Sequence, residues 1–334
     1  MAFDPREVLA RNRADAAKIS ERIGLARTRK MLMRAQEELD AKLRGLGAGD
    51  QTFTATQMRT TLAQIEDVLA GVSGSMKTLI VGQSATSAEM AAGGILEYLE
   101  RADMSFRGVG QQPLAFDEAT MFDAARSGAK SSILRRLTSD ESAGIPGAKK
   151  TKTGILERYG ENVIGNFEET LQRGLLTRKS VADMRDEITQ ASPFLEGAPA
   201  SWAERIVRTE LMGAYNRAGW ETMREANDQM GGDMVKILSA TFDNRTASDS
   251  YAVHGQIREP DQAFETWYGM MQHPPARPND REIIVPHSKT WPIPKYLEPR
   301  SDAEVMLRWK MERRKGMPPK RPQMETVPRK SFGQ

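Results

Sequence analysis

The stretch 202–246, WAERIVRTELMGAYNRAGWETMREANDQMGGDMVKILSATFDNRT, holds the change of texture on which the fold class turns. In its first half apolar residues recur at helical spacing. Pro199 and Ser201 supply the opening signal, and Gly231-Gly232 supply the stop. Residues 234–242 (MVKILSATF) are then apolar and β-rich, and the chain to about Pro299 reads as short strands and loops dense in Pro and Gly. A helical run followed by strands, with no regular alternation, predicts an α+β fold. The expected order is a helical N-terminal region, a mixed module with a small β-sheet, and an extended basic C-terminal tail.

Working outward, a helix is expected over 5–46, opened by Pro5 after Asp4 and ended by Gly47-Ala48-Gly49. Leu25, Leu32, Leu39 and Leu46 fall seven apart, with Ala35 and Leu43 bordering the stripe and Lys42 interrupting it. Fewer than four clean heptads favour one helix of a bundle over a coiled coil. Further helices are expected over 56–70, 87–101 and 116–137, with the Gly- and Ser-containing run 71–89 breaking the periodicity between the first two. That run lacks the spacing of a phosphate-binding loop. Residues 139–154 (SDESAGIPGAKKTKTG) read as a solvated linker. Beyond them come a helix over 155–171 and a shorter one, capped by Thr177 or Ser180, ending near residue 188. The resulting division is 1–138 helical, 139–154 linker, 155–299 mixed module and 300–334 basic helix and tail.

Composition sets the outer bounds. The 334 residues suffice for about two domains. No run approaches the roughly 20 apolar residues of a membrane span, and the charged N-terminus lacks the apolar core of a secretory signal, so a soluble, cytoplasmically made protein is expected. With no cysteine, disulfides, thiol nucleophiles and cysteine-based metal centres are excluded. The net charge of +3 is too mild to announce a nucleic-acid binder, yet it is uneven. From Arg300 onward ten Lys/Arg oppose four Asp/Glu, and 10 − 4 gives +6. Lys310, Arg313, Arg314, Lys315, Lys320 and Arg321 are therefore candidate contacts to DNA phosphates or an acidic partner, sequence-independent and salt-sensitive if the ligand is DNA.

Three patterns follow one another in the second half. Arg208-Thr209-Glu210 lies within a helix. Asp243-Asn244-Arg245-Thr246 follows the β-rich run and leads to His254-Gly255-Gln256. Pro278-Asn279-Asp280-Arg281-Glu282 precedes a strand-like Ile283-Ile284-Val285. This ordered set resembles the phage Mu F-like head morphogenesis proteins, also called minor head or minor capsid proteins, over about residues 155–290. The resemblance implies a virion protein near the portal vertex, made in the host cytoplasm. Its implied partners are the portal protein and/or the major capsid protein, with packaged double-stranded DNA as a further contact and oligomers formed only within the virion. It brings no cofactor and no catalytic residue to carry over. Where the family often has two cysteines this chain has Asp280 and Glu282, and Arg277 stands in place of a histidine, so the resemblance implies that whatever a metal or disulfide does in relatives is either dispensable here or replaced, with an Arg281 salt bridge as the candidate replacement.

Read for their own chemistry, these residues suggest cross-links between elements. Arg208 and Glu210 are two apart on a helix and cannot face one another. A network of Arg208, Glu210, Asp243 and Arg245 is the expectation, costly to break at any member. The competing reading is an enzyme. A metal-dependent nuclease would draw on His254, His273 and His287 with Asp243, Asp249, Asp261 and Asp280. An ADP-ribosyltransferase would use the Arg-Thr-Glu triplet. No two histidines have the i, i+4 spacing of a metal pair, and the triplet sits on one helix instead of separate strands. A free DNA-binding regulator would need a helix-turn-helix signature that the chain lacks.

Overall fold

The computed structural model describes residues 5–45, 51–107, 113–138, 154–191 and 197–314. The chain is an α+β protein organised around helix α7 (Gly197–Gln229), whose residues 209–216 are buried without interruption. A helix buried on every side must be enclosed by other elements. Here they are α3 (Ala55–Phe106), α4 (Glu118–Thr138) and the small sheet. Helices α4 and α7 run antiparallel, as Arg136 meets Glu210 at one end and the Asp117 amide donates to Gln229 Oε1 at the other. Gly231 and Gly232, with φ of 68° and 92°, close α7 by returning their amides to Asp228 and Asn227.

The sequence predicts a break inside 71–89, and the structure has none: α3 runs for 52 residues, about 78 Å at the usual rise. Its start is fixed by a capping box in which Thr54 and Gln57 satisfy each other's amides. Gly71, Gly74 and Gly82 each cost about 1 kcal/mol of helix propensity. That deficit is outweighed by an unbroken buried stripe from Ile65 through Val72, Met76, Ile80 and Ala88 to Ala102. The hydroxyls that suggested a loop are absorbed internally: Thr78, Ser84 and Ser87 donate to the carbonyls of Gly74, Val81 and Gln83.

The first helical stretch also runs on, as α1 (Pro5–Ala17), a π-helical segment (Lys18–Ile23) and α2 (Gly24–Arg44). Leu32, Ala35, Leu39 and Leu43 are buried, so the leucine stripe packs as one face of a bundle, largely against α3; Leu46 lies outside the described residues. Helix α5 (Ile155–Leu176) continues past the expected end at residue 171. Ser180, not Thr177, caps α6 (Val181–Ala191), its hydroxyl accepting from the Asp183 amide at 3.1 Å. Of the linker expected over 139–154, only Gly154 falls within the described residues.

Strand β1 (Met234–Ser239) is the centre of a three-stranded antiparallel sheet. It pairs with β2 (Ile257–Arg258) on one side and β5 (Ile283–Ser288) on the other, with Ile237 opposite Val285. All six residues of β1 and of β5 are buried. Ile237, Ile283 and Val285 join the main core, which runs from Val8 to Leu297. Leu238 and Ile284 join a second one with Trp220, Phe264 and Met271. Phe264 and Met271 belong to a short hairpin, β3 (Phe264–Thr266) with β4 (Gly269–Met271). Helix α8 (Ser248–Val253) sits between β1 and β2 in the chain, and α9 (Asp302–Arg314) docks onto it: Glu312 accepts from the amide and hydroxyl of Ser248 at 2.8 and 2.7 Å. The basic extension therefore begins as a packed helix. Among the described residues no helix is long and apolar enough to cross a membrane.

Candidate functional site

The three sequence patterns converge where α7, the β1–α8 loop and the segment before β5 meet. Successive helical residues turn by about 100°, so the Arg208-Thr209-Glu210 triplet fans out in three directions. Arg208 Nη1 donates to Asn279 Oδ1 at 2.9 Å. Thr209 accepts the Asn279 amide at 3.3 Å while donating to the Arg205 carbonyl. Both hold Asn279 in a left-handed turn at φ 66°, a conformation asparagine tolerates better than most residues. Glu210 points the other way and is 1% exposed. Its Oε1 accepts from Arg136 Nη2 at 2.9 Å, a pair between α7 and α4. Burial raises the Glu210 pKa, opposed by the Arg136 charge.

The second pattern is a self-bonded loop. Asp243 accepts from both guanidinium arms of Arg281 at 2.6 and 2.7 Å, and from the Arg245 amide at 2.8 Å. The Arg281 hydrogen bonds are the first reason its pKa lies well below the usual carboxylate range. Thr246 bonds Asp243 and the Thr241 carbonyl. Arg245 reaches outward to Glu21 of the π-helical segment at 3.4 Å. The expected four-residue network does not form. Arg208 and Glu210 diverge to different elements, and the Arg245 guanidinium approaches Asp243 only at 3.8 Å. Arg281 instead carries the bridge to Asp243, tying the segment before β5 to the β1–α8 loop.

Asp280 and Glu282, on either side of Arg281, are each 6% exposed. They form a buried acidic cluster with Asp249 of α8, around Arg277. Arg277 pairs with Asp249 at 2.7 Å and Asp280 at 2.9 Å. Asp280 Oδ2 also accepts the amides of Ala276 and Arg277. Burial, then the neighbouring Glu282 charge, pushes the Asp280 pKa far up; burial raises that of Glu282 as well. Glu282 Oε2 is buried and has no hydrogen-bond partner among the described residues.

The histidines do not gather. His254 Nδ1 accepts the Ala240 amide at 3.1 Å, which leaves the proton on Nε2 for the Tyr296 carbonyl. Burial, with Arg300 and Arg13 adding positive charge, draws its pKa down to about 3. His273 bonds the Pro274 carbonyl and lies against Trp220, and His287 faces the Trp291 carbonyl. Asp261 is paired with Arg224 at 3.0 Å. Of the metal-ligand set considered from sequence, Asp249 and Asp280 meet on Arg277, and the histidines, Asp243 and Asp261 lie apart from them. Among the described residues no group of three or more His, Asp and Glu side chains is placed to hold a metal ion. Gly255, next to His254, has φ 77°, and a Cβ there would stand 2.5 Å from the Pro299 nitrogen, so the turn requires glycine.

The two cavities beside the acidic cluster measure about 20 Å³ each. That is room for about one water, far below the roughly 300 Å³ at which small-molecule pockets begin. Pro278 and Asn279 form the exposed lip of the junction. Of the tail residues, Lys310 is exposed on α9 and Arg313 and Arg314 end that helix, while Lys315, Lys320 and Arg321 lie outside the described residues.

Two participants escape sequence reading. Arg136, the partner of Glu210, sits at the end of α4 with nothing local to distinguish it from Arg135. Lys236 is 0% exposed in the middle of β1, donates to the Gln272 carbonyl at 2.8 Å and lies 4.9 Å from the Phe264 ring centre. Burial draws its pKa down to about 7. A lone lysine inside an apolar strand was the available signal. Compared with known proteins, the chain matches no family model, no curated protein and no solved structure.

Proposed function

We propose that this chain is a minor head protein of a tailed bacteriophage that binds the portal protein and/or the major capsid protein during head assembly and stays in the virion near the portal vertex. The observation that carries this reading is the use made of the ordered motif. Its charged side chains end on one another or on neighbouring elements, around cavities of about 20 Å³, so the motif serves as internal cross-linking for a rigid module. A module of that kind, joined to a 52-residue helix and a basic extension, suits assembly better than turnover of a small substrate. Co-sedimentation with procapsids or purified portal rings tests it, together with mass spectrometry of purified virions. The protein is expected in both; its absence from both would overturn the reading.

Packaged double-stranded DNA is the further contact proposed for the tail. Residues 315–334 carry five Lys/Arg and one Glu, so deleting them removes a charge of 5 − 1 = +4. The deletion is expected to weaken low-salt DNA binding and to flatten its salt dependence, since each phosphate contact contributes about −0.9 to the slope of log K against log salt. Truncation at 314 is the informative cut. A cut at 300 would also remove α9, whose Glu312 and Arg308 hold α8 and the Asn244–Thr246 loop. Filter binding across 50–200 mM salt reads the result, and an unchanged slope would place any DNA contact elsewhere.

A further inference from the structure

Helices α2 and α3 leave between them a groove of about 460 Å³. Its α2 rim carries Arg27, Lys30 and Arg34, at i, i+3 and i+7 on one helix face, all exposed. Among the described residues none of the three forms an ion pair. Their neighbours do: Arg29 holds Glu204, and Lys42 holds Asp67. Glu38, at the far end of the groove, is turned toward Lys42 at 3.6 Å. The opposite wall presents Gly71 and Ser75, one turn apart and exposed, and a Cβ on Gly71 would meet nothing within 4 Å. Half-buried Met31 contributes to the floor.

We propose that this groove docks a helix of a partner protein that bears acidic residues along one edge and apolar residues beside them. The cations all stand on one wall, and the bare Gly71–Ser75 wall lets a second backbone come close. A helix about 10 Å across can lie along two neighbouring helices and touch both walls. A nucleic-acid duplex would meet charge on the α2 side alone and stand off the glycine wall. From Arg27 to Glu38 the groove spans eleven residues, about 16 Å or three helical turns. The chain's own basic end, residues 315–334, is repelled by the rim and is not the occupant. The proposal does not depend on the head-assembly reading.

The test is selection of a displayed library of 16-residue helical peptides on the full-length protein. Enriched peptides are expected to carry Asp or Glu at i, i+3 or i+7 beside Leu, Ile or Met. They should bind at least tenfold more weakly to the triple variant Arg27→Glu, Lys30→Glu, Arg34→Glu. The same loss is expected for Gly71→Leu, which fills the groove without touching the charges. A 20-base-pair duplex is titrated in parallel. No enrichment, enrichment of basic peptides, or equal binding to both variants would overturn the proposal. Duplex binding that needs the cations and ignores Gly71→Leu, without peptide binding, would also overturn it and mark a phosphate site.

Discussion

Replacing Arg277 with alanine is expected to lower the unfolding free energy by about 3–5 kcal/mol at neutral pH, the usual cost of stranding a buried charge. Arg277 is the guanidinium on which Asp249 and Asp280 close, with Glu282 directly beside them. Without it, three carboxyl groups crowd one buried site. The pH dependence follows from the direction of the shifts. Asp280 and Glu282 have raised pKa values in the folded protein, so between the ordinary carboxylate range and those raised values the folded state holds more protons than the unfolded chain. Stability therefore falls as pH rises through that window. The Arg277→Ala penalty should be smaller at pH 5 than at pH 8. Glu282→Gln should do the reverse of harm, flattening the decline and raising stability at pH 8. Urea unfolding at pH 5, 7 and 8 reads all three proteins.

The second large effect is expected at the α4–α7 pair. Glu210→Ala leaves Arg136, 8% exposed, with no counter-charge on Glu210, again at about 3–5 kcal/mol. Arg136→Ala instead strands a carboxylate whose second oxygen already lacks a partner among the described residues. Glu210 then takes up a proton more readily, and its folded pKa rises further. A raised carboxyl pKa makes stability fall with increasing pH, so this variant should lose stability over a wider pH window than the wild type, extending to higher pH. Replacing both residues with apolar ones of similar volume, Arg136→Met with Glu210→Leu, should recover most of the loss, because no unpaired charge remains.

The helix-to-strand change at residues 231–234 was legible because two different periodicities meet there across a Gly-Gly stop. The 52-residue α3 was not, because its glycines and serines carry the local signature of a loop. Only the surrounding helices, through the buried stripe from Ile65 to Ala102, overrule that preference. At the junction the residue types were legible and the pairings were not. The spacing of Arg208 and Glu210 says that they diverge, but where each ends depends on Asn279 and Arg136, some 70 residues away in either direction. Asp280 and Glu282 stood out as replacements for cysteines in the resemblance. Their meeting with Asp249 and Arg277 depends on how α8 packs, which no local pattern encodes.

The claim that joins fold and proposed function is that the motif side chains cross-link the module instead of reacting. It is tested most directly by a double-mutant cycle on Arg136→Met and Glu210→Leu, measured by equilibrium urea unfolding at pH 7. The account predicts two costly single replacements and a far milder double one, with a coupling free energy of at least about 2 kcal/mol. Additive effects, with a coupling near zero, would contradict it.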